Sequence, residues 1–307
     1  MQEVKENVPL APITTFQIGG PARYFVDVRS EADIKEAIQW AKEKGLRFIV
    51  LAGGSNVLIP DEGLDALVIH FVGNLCSIKD GVVDTWAGSN LLVLLQTAAA
   101  QGWGGWEKLA GIPGTIGGAV RGNAGAFGSE IKDFATKVRA LNSRTGETKE
   151  FPNTECDFSY RHSFFKDHSE WIITRTQLEL QKMEPAESAQ AANETIAERE
   201  KRHLQNVKAA GSFFMNPKAP AEIVATFEKE KNVKSREGRV PAGWLIEKAG
   251  MKGAAVGGAV ASLQHPNYLV NQGNAIAKDV RELAEKVREK VKEEFAVELQ
   301  EEAAVLS

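Results

Sequence analysis

Three kinds of side chain in this sequence could do chemistry: an arginine among aromatics, a serine behind a glycine, and a pair of carboxylates near residue 300. In "FSYRHSFF" (158–165) Arg161 either stacks on Tyr160 with its charge in water, or is a fixed cation for a carboxylate or enolate. In "AAGSFFMNP" (209–217) Ser212 follows a glycine and precedes two phenylalanines. No G-x-S-x-G surrounds it, so an esterase nucleophile is not indicated. Ser212 either caps a turn or donates a proton. A hydroxyl is a weak acid, so the second role needs a strongly basic acceptor such as a carbanion. Glu301 and Glu302 are adjacent on an expected strand, where neighbouring side chains point to opposite faces. At most one of them can face a given site, and the plain alternative is two solvated carboxylates. His162 and His168 read as ordinary histidines rather than ligands.

A second chemistry could be done by backbone alone. "GIPGTIGGAVRGNAGAFG" (111–128) contains seven glycines. Each costs roughly 0.5–1 kcal/mol relative to alanine in a regular element. Gly111-Ile112-Pro113-Gly114 reads as a tight turn, with Pro113 setting φ and Gly114 admitting a positive one. The glycines that follow let a flat polar ligand lie on bare backbone, as the pyrophosphate and ring of a dinucleotide would. The competing reading is a set of structural turns at tight corners of a sheet. A second loop, Gly53-Gly54-Ser55-Asn56, could form another nest of N–H groups, and two such loops suit a ligand with two phosphates. Neither loop is of the Rossmann or P-loop kind. The chain has no G-x-G-x-x-G or G-x-x-x-x-G-K-[ST], and the residues after Asn56 read as strand, turn, strand rather than helix.

These loops need elements to hold them. "YFVDV" (24–28) and "FIVLA" (48–52) read as strands around a helix capped by Ser30 with Asp33, whose buried face is Ile34, Ala37, Ile38 and Ala41. That is a β-α-β unit, expected to be parallel and right-handed. A helix is expected near 89–101 with Ser89 as its N-cap, and a hairpin over 138–151 turning at Thr145-Gly146. At Pro185 the composition shifts to a charged helix, expected to run to Gln205 as a connector. The module beyond it has a helix near 220–232, the stretches "WLIEKAG" (244–250) and "NYLVN" (267–271), and a long helix over 277–295, with Val280, Leu283, Ala284, Val287 and Val291 on one face.

Composition narrows the function classes. The chain has 307 residues, 43% of them hydrophobic and 25% charged, so a packed core of two or three domains is expected. A net charge of −4 without a basic block argues against nucleic acid as the main partner. Cys76 and Cys156 lack ligand or disulfide spacing, so neither a metal site nor a disulfide framework is expected. Two free thiols suit a reducing cytoplasm. The first residues have no apolar core of a secretory signal. The uncharged Thr85–Trp106 window reads as buried helix and loop, not a membrane span.

Seven stretches together resemble the UDP-N-acetylenolpyruvoylglucosamine reductase family: "TTFQIGGPARYF", "LAGGSNVLI", "GIPGTIGGAV…NAGAFG", "SYRHSFF", "AGSFFMNP", "AGWLIEKAGMKG…VGGA" and "FAVELQEEAAV". They occur in the family's order along nearly the whole chain. The short "SYRHSFF" segment is similar to the variant lacking an extra tyrosine-bearing loop. The resemblance implies an α+β protein with a two-subdomain FAD-binding fold of the vanillyl-alcohol-oxidase type over 1–70 and 71–205, followed by a UDP-sugar domain over 206–307. It implies non-covalent FAD lined by Gly53, Gly54, Ser55, Asn56, Gly111, Ile112, Pro113, Gly114, Thr115, Gly117, Gly118, Asn123 and Gly125. NADPH is the implied hydride donor, and hydride passes to C3 of the enolpyruvyl group. Arg161, Ser212 and Glu302 fall where the family has its catalytic arginine, serine and glutamate, with Glu301 as the fallback for Glu302. Asn216, Lys252, Arg239 and His265 are the implied UDP-sugar contacts. The implied setting is cytoplasmic peptidoglycan precursor synthesis, with small molecules as partners and neither membrane nor obligate protein partner. The alternatives are another FAD-dependent oxidoreductase of this fold, or a non-catalytic flavin or nucleotide module. The chain departs from the family pattern at Met215, where a lysine is usual, and at Ala303-Ala304, where a Val-Arg pair is usual.

Overall fold

The structure is a computed structural model that describes residues 3–202 and 206–307. The chain divides into two compact units. The first comprises residues 1–8, 22–54 and 65–201; the second comprises 9–21, 55–64 and 202–307.

The first unit is built on two sheets. One is four-stranded, in the order Lys5–Pro9, Pro21–Val28, Leu64–Phe71, Phe48–Leu51. The expected helix is present as Glu31–Glu43, with the Ser30 hydroxyl accepting from the Asp33 N–H and the expected four residues buried. The strands on either side of it share the sheet but are not neighbours. Leu64–Phe71 lies between them and pairs in parallel with Phe48–Leu51. The strand after the Gly53 loop supplies the hydrogen bonds that local pattern assigned to the first strand.

The other sheet has five antiparallel strands, in the order Thr148–Pro152, Ala135–Asn142, Trp171–Glu179, Val82–Trp86, Cys76–Lys79. Its first two strands are the expected hairpin, and Gly146 takes a φ of +75° at the turn. Both sheets contribute to a single apolar core with the Glu31–Glu43 helix and the helix Leu91–Ala100. The second helix is capped not by Ser89 but by Asn90, whose side chain accepts from the Val93 N–H at 3.0 Å. Ser89 is buried, with its hydroxyl directed to the Leu75 carbonyl at 3.4 Å. The connector helix runs Pro185–Lys201, and residues 203–205 of the expected span lie outside the described residues. It docks through Ser188, whose hydroxyl donates to the buried Glu107 at 2.6 Å. Among the described residues no helix is long and apolar enough to cross a membrane.

The second unit packs the helices Ala221–Lys231, Ala242–Lys248 and Ala277–Phe295 with a three-stranded antiparallel sheet, Ala255–Val256, Ala259–Ala261 and Leu269–Asn271. The expected face of the long helix is buried, from Val280 to Val291. Its first turn is capped from far away in sequence, since Asp61 accepts from the N–H groups of Ala277 and Lys278 at 2.7 and 3.1 Å. Carboxylates suit a helix N-terminus, where N–H groups lack partners. Phe16, Ile18 and Leu58 join the same core, so residues 9–21 and 55–64 are part of this unit. The last strand, Ala304–Val305, pairs in parallel with Val57–Leu58.

Candidate active site

Within the first unit, Gly53 and the 111–128 segment meet backbone to backbone. A Cβ on Gly53 would stand 2.8 Å from Gly114 Cα. One on Gly117 would stand 2.8 Å from Ala87 Cβ, where the Gly117 N–H donates to the Ala87 carbonyl. At both glycines the neighbouring chain fills the place of a side chain, although Gly53 is exposed and Gly117 half-buried. Gly118 and Gly122 differ, with no atom closer than 3.6 Å to an added Cβ. Gly111 and Gly114 have φ of +78° and +117°, a region that side chains avoid. Thr115 caps the short helix Ile116–Arg121 by accepting from the Gly118 N–H at 3.4 Å. The N–H groups of Gly53 and Gly114 donate to no other described residue. Bare, unspent backbone beside half-exposed Ile112 and Gly114 fits a flat, anionic dinucleotide. Gly54, at φ +56°, ends this segment of the first unit, whereas Ser55 and Asn56 belong to the second.

The far end of the glycine segment holds Arg161. Ser159 and His162 exchange both backbone hydrogen bonds, so Tyr160 and Arg161 form the tip of a tight turn. Arg161 sits at φ +56°, where a residue with a Cβ is strained by about 1–2 kcal/mol. Its guanidinium stacks on Tyr160 at 5.2 Å and also donates from Nη2 to the Gly125 carbonyl at 3.0 Å. The arginine is thus held by one aromatic ring and one backbone carbonyl. Asn123 is fully buried and donates to the Ser159 carbonyl at 2.8 Å and to Glu130 at 3.2 Å. Gly125 admits no Cβ, with Ser129 O at 2.6 Å. Asn123 and Gly125 thus brace the arginine turn.

The second unit brings Ser212 and Glu302 onto neighbouring segments. Gly211 takes φ +70° and turns the chain into Ser212. The Glu302 N–H donates to the Phe213 carbonyl at 2.8 Å, the Met215 N–H donates to the Gln300 carbonyl at 2.9 Å, and Phe214 bridges Glu301 between them. Glu302 is also held from its carbonyl, which accepts from Asn56 Nδ2 at 3.1 Å. Glu301 pairs with Arg288 at 2.7 Å. Despite their small side chains Ala303 is buried and Ala304 pairs in the last strand, so the tail is seated.

A residue that pattern reading missed organises this segment. Asn267, 2% exposed, accepts from the Phe214 N–H at 2.9 Å and donates to the Phe214 carbonyl at 2.8 Å, while its own carbonyl accepts from the Phe213 N–H at 2.7 Å. An asparagine inside the apolar run "NYLVN" was the available signal.

A cleft of about 400 Å³ in this unit is lined by Ser212, Asn216, Lys231, Glu247, His265 and Asn267, among others. Asn216 uses Oδ1 to cap the helix Ala242–Lys248 at the Ala242 N–H, 3.0 Å, and its carbonyl accepts from Arg239 at 2.9 Å. Lys252 does not line the cleft but pairs with Glu247 at 2.8 Å. That pairing outweighs burial and holds the Glu247 carboxyl below its ordinary value. Burial pushes the His265 imidazole below its ordinary value. Its Nδ1 is buried and has no hydrogen-bond partner among the described residues.

Residues 22–151 match the FAD binding domain family, and residues 201–306 match the UDP-N-acetylenolpyruvoylglucosamine reductase C-terminal domain. The reductase of that name from Solibacter usitatus is 35% identical over 306 residues, covering 97% of this chain and 95% of its own. The one from Carboxydothermus hydrogenoformans is 36% identical over 305 residues, covering 99% and 94%. The crystal structure of the Thermus caldophilus reductase superposes with a TM-score of 0.77 at 33% identity, covering 99% of both chains. With full-length identity of this order on a shared fold, the chain belongs to the UDP-N-acetylenolpyruvoylglucosamine reductase family.

Proposed function

We propose that the protein is an NADPH-dependent flavoenzyme that reduces the enolpyruvyl ether of UDP-N-acetylglucosamine to UDP-N-acetylmuramate, for peptidoglycan precursor synthesis. The observation that carries this is the backbone pairing of the Ser212 segment with the Glu302 tail, in a chain that matches such reductases from end to end. FAD, bound non-covalently at the glycine loops, would supply hydride chemistry between NADPH and C3 of the enolpyruvyl group. Gly53 and Gly54, with the 111–125 backbone of the same unit, would hold it.

The chain's own side chains deal with the charge and the proton. Hydride addition at C3 leaves negative charge at C2, spread into the carboxylate. Arg161, fixed by Tyr160 and Gly125, stabilises that charge without reorganising. The Ser212 hydroxyl donates its proton to C2, which completes the saturated lactyl ether. Glu302, locked through its backbone on both sides, polarises the same centre. The cleft with Asn216 and His265 takes the UDP-sugar, and Arg239 and Lys252 add positive charge suited to a pyrophosphate. In this reading residues 1–70 and 71–205, apart from the segments 9–21 and 55–64 that fold with the second unit, are the flavin subdomains and 206–307 the substrate domain. Cys76 and Cys156 are both unpaired, in keeping with a cytoplasmic enzyme.

The test is anaerobic mixing of the purified protein with NADPH and then with the enolpyruvyl UDP-sugar. The flavin absorbance should bleach and then return. A colourless protein, or a reduced flavin that the sugar does not reoxidise, overturns the proposal.

A further inference from the structure

Arg288 has no part in the roles above, yet it makes more contacts to the catalytic tail than any of them requires. It lies on the helix Ala277–Phe295. Its Nη2 meets Glu301 Oε1 at 2.7 Å, its Nε donates to the Leu299 carbonyl at 3.3 Å, and its Nη1 pairs with Glu285. The same guanidinium lies over the Phe214 ring at 6.0 Å. One planar group therefore grips both members of the ladder that joins Phe213–Met215 to Gln300–Glu302. That ladder is three residues long on each side. So short a pairing is weak by itself, and its register is exposed to slippage.

Register is what decides the chemistry here. Adjacent side chains of an extended segment point to opposite faces, so a slip of one residue exchanges Glu301 for Glu302. We infer that Arg288 is a positioning residue for the reduction: by binding Glu301 and Leu299 it fixes the tail so that Glu302, and not Glu301, is presented beside the Ser212 segment. Glu301 is then the anchor of the tail rather than a spare catalytic carboxylate. The inference rests on the reading of Glu302 as catalytic.

The test compares the holoenzyme with Arg288→Met, Arg288→Lys, Glu302→Gln and the Arg288→Met/Glu302→Gln pair, with Arg281→Met on the same helix as a surface control. Stopped-flow measurement separates flavin reduction by NADPH from reoxidation by the enolpyruvyl UDP-sugar. Arg288→Met should leave reduction within about twofold and slow reoxidation about 10–100-fold, the loss expected when a catalytic group moves by roughly 1 Å. Added to Glu302→Gln, it should slow reoxidation less than about twofold further, because the two act as one unit. Arg288→Lys should recover part of the rate, since it keeps the charge but not the fork to Leu299. If Arg288→Met does not fold, the lysine variant carries the same comparison. Amide exchange of Glu302 should be faster in either variant and unchanged in Arg281→Met.

Equal slowing of both half-reactions, or full multiplication of the two single losses, overturns the inference. If Glu302→Gln reoxidises slowly and Arg288→Met at the wild-type rate, the inference falls and the reading of Glu302 stands. If Glu302→Gln itself reoxidises at the wild-type rate, the reading of Glu302 falls and takes the inference with it.

Discussion

The glycine segment of the first unit and the Ser212 segment of the second solve the same problem by opposite means. Around Gly53, Gly114 and Gly117 the geometry is set by side chains that are missing, and backbone packs on backbone. Around Ser212 it is set by side chains that are present: Asn267 clamps Phe214, and Asn56 holds the Glu302 carbonyl. The first kind of site is broken by adding atoms and the second by removing them. The first also fails by shape, losing ligand and stability together, while the second can lose its chemistry with its fold intact.

The sharpest way to break that contrast is at Ser212. Ser212→Ala should leave flavin binding and reduction by NADPH near normal and slow reoxidation by the enolpyruvyl substrate by ~10²–10⁴-fold, the usual contribution of a positioned acid. Ser212→Cys should recover part of the rate. Reoxidation of the alanine variant at the wild-type rate would remove the serine from the mechanism.

Asn267→Ala tests the clamp rather than the acid. It strands the buried N–H and C=O of Phe214, so unfolding in urea should show a loss of about 2–4 kcal/mol. A loss below about 0.5 kcal/mol, typical of an uninvolved surface site, would mean that the clamp is idle. Gly53→Ala is the counterpart in the first unit. Its methyl would meet Gly114 Cα at 2.8 Å, and backbone must move, at about 1–3 kcal/mol. Flavin content after purification should fall in step with stability. A fully loaded Gly53→Ala protein would show that the close approach has no bearing on the cofactor.

Lys252→Ala should raise KM for the UDP-sugar about tenfold while leaving flavin reduction unchanged, as the loss of one charge-assisted hydrogen bond would do. An unchanged KM would confine Lys252 to its ion pair with Glu247. The smallest effect is expected at Glu31. Burial raises its pKa, but two hydrogen bonds from Arg139 and one from Thr174 outweigh that and hold it below 4.5. A depressed carboxyl pKa contributes stability above its unfolded value and loses it as pH falls through the folded one. Glu31→Gln should therefore flatten the stability curve slightly between about pH 5 and pH 3. The pair is partly exposed and screened, so the change is small. An acid limb as steep as that of the unaltered protein would assign it to other carboxylates.

How much of this could be read from sequence depends on whether the signal was local. Ser30 and the apolar face of the last helix were legible because caps and 3.6-residue periodicity are local. The glycine loops were legible as close approaches, but not which glycines meet protein and which stand open. Asn90 rather than Ser89 caps its helix because Ser89 is drawn to Leu75, a partner outside the capping window. Asn267, Asp61 and Arg288 were missed for one reason: each acts on backbone that is distant in sequence or on a charge presented by another element. The participation of residues 9–21 and 55–64 in the second unit was equally invisible, since periodicity reports that a face is buried and not against what.

The pairing of the tail with the segment after Asn56 bears on how the protein is made. Asn56 and Glu302 are 246 residues apart, and closing so long a loop carries its full entropic cost before any contact repays it. During synthesis the first unit has all of its segments once residue 201 has emerged, whereas the second must wait for the strand Ala304–Val305. Until then Val57 and Leu58 offer an unpaired strand edge, the kind of surface that chaperones cover and aggregation exploits. The strand that seats the tail is thus also the last to be delivered, and a chain cut short by a handful of residues would leave Val57 and Leu58 without their partner.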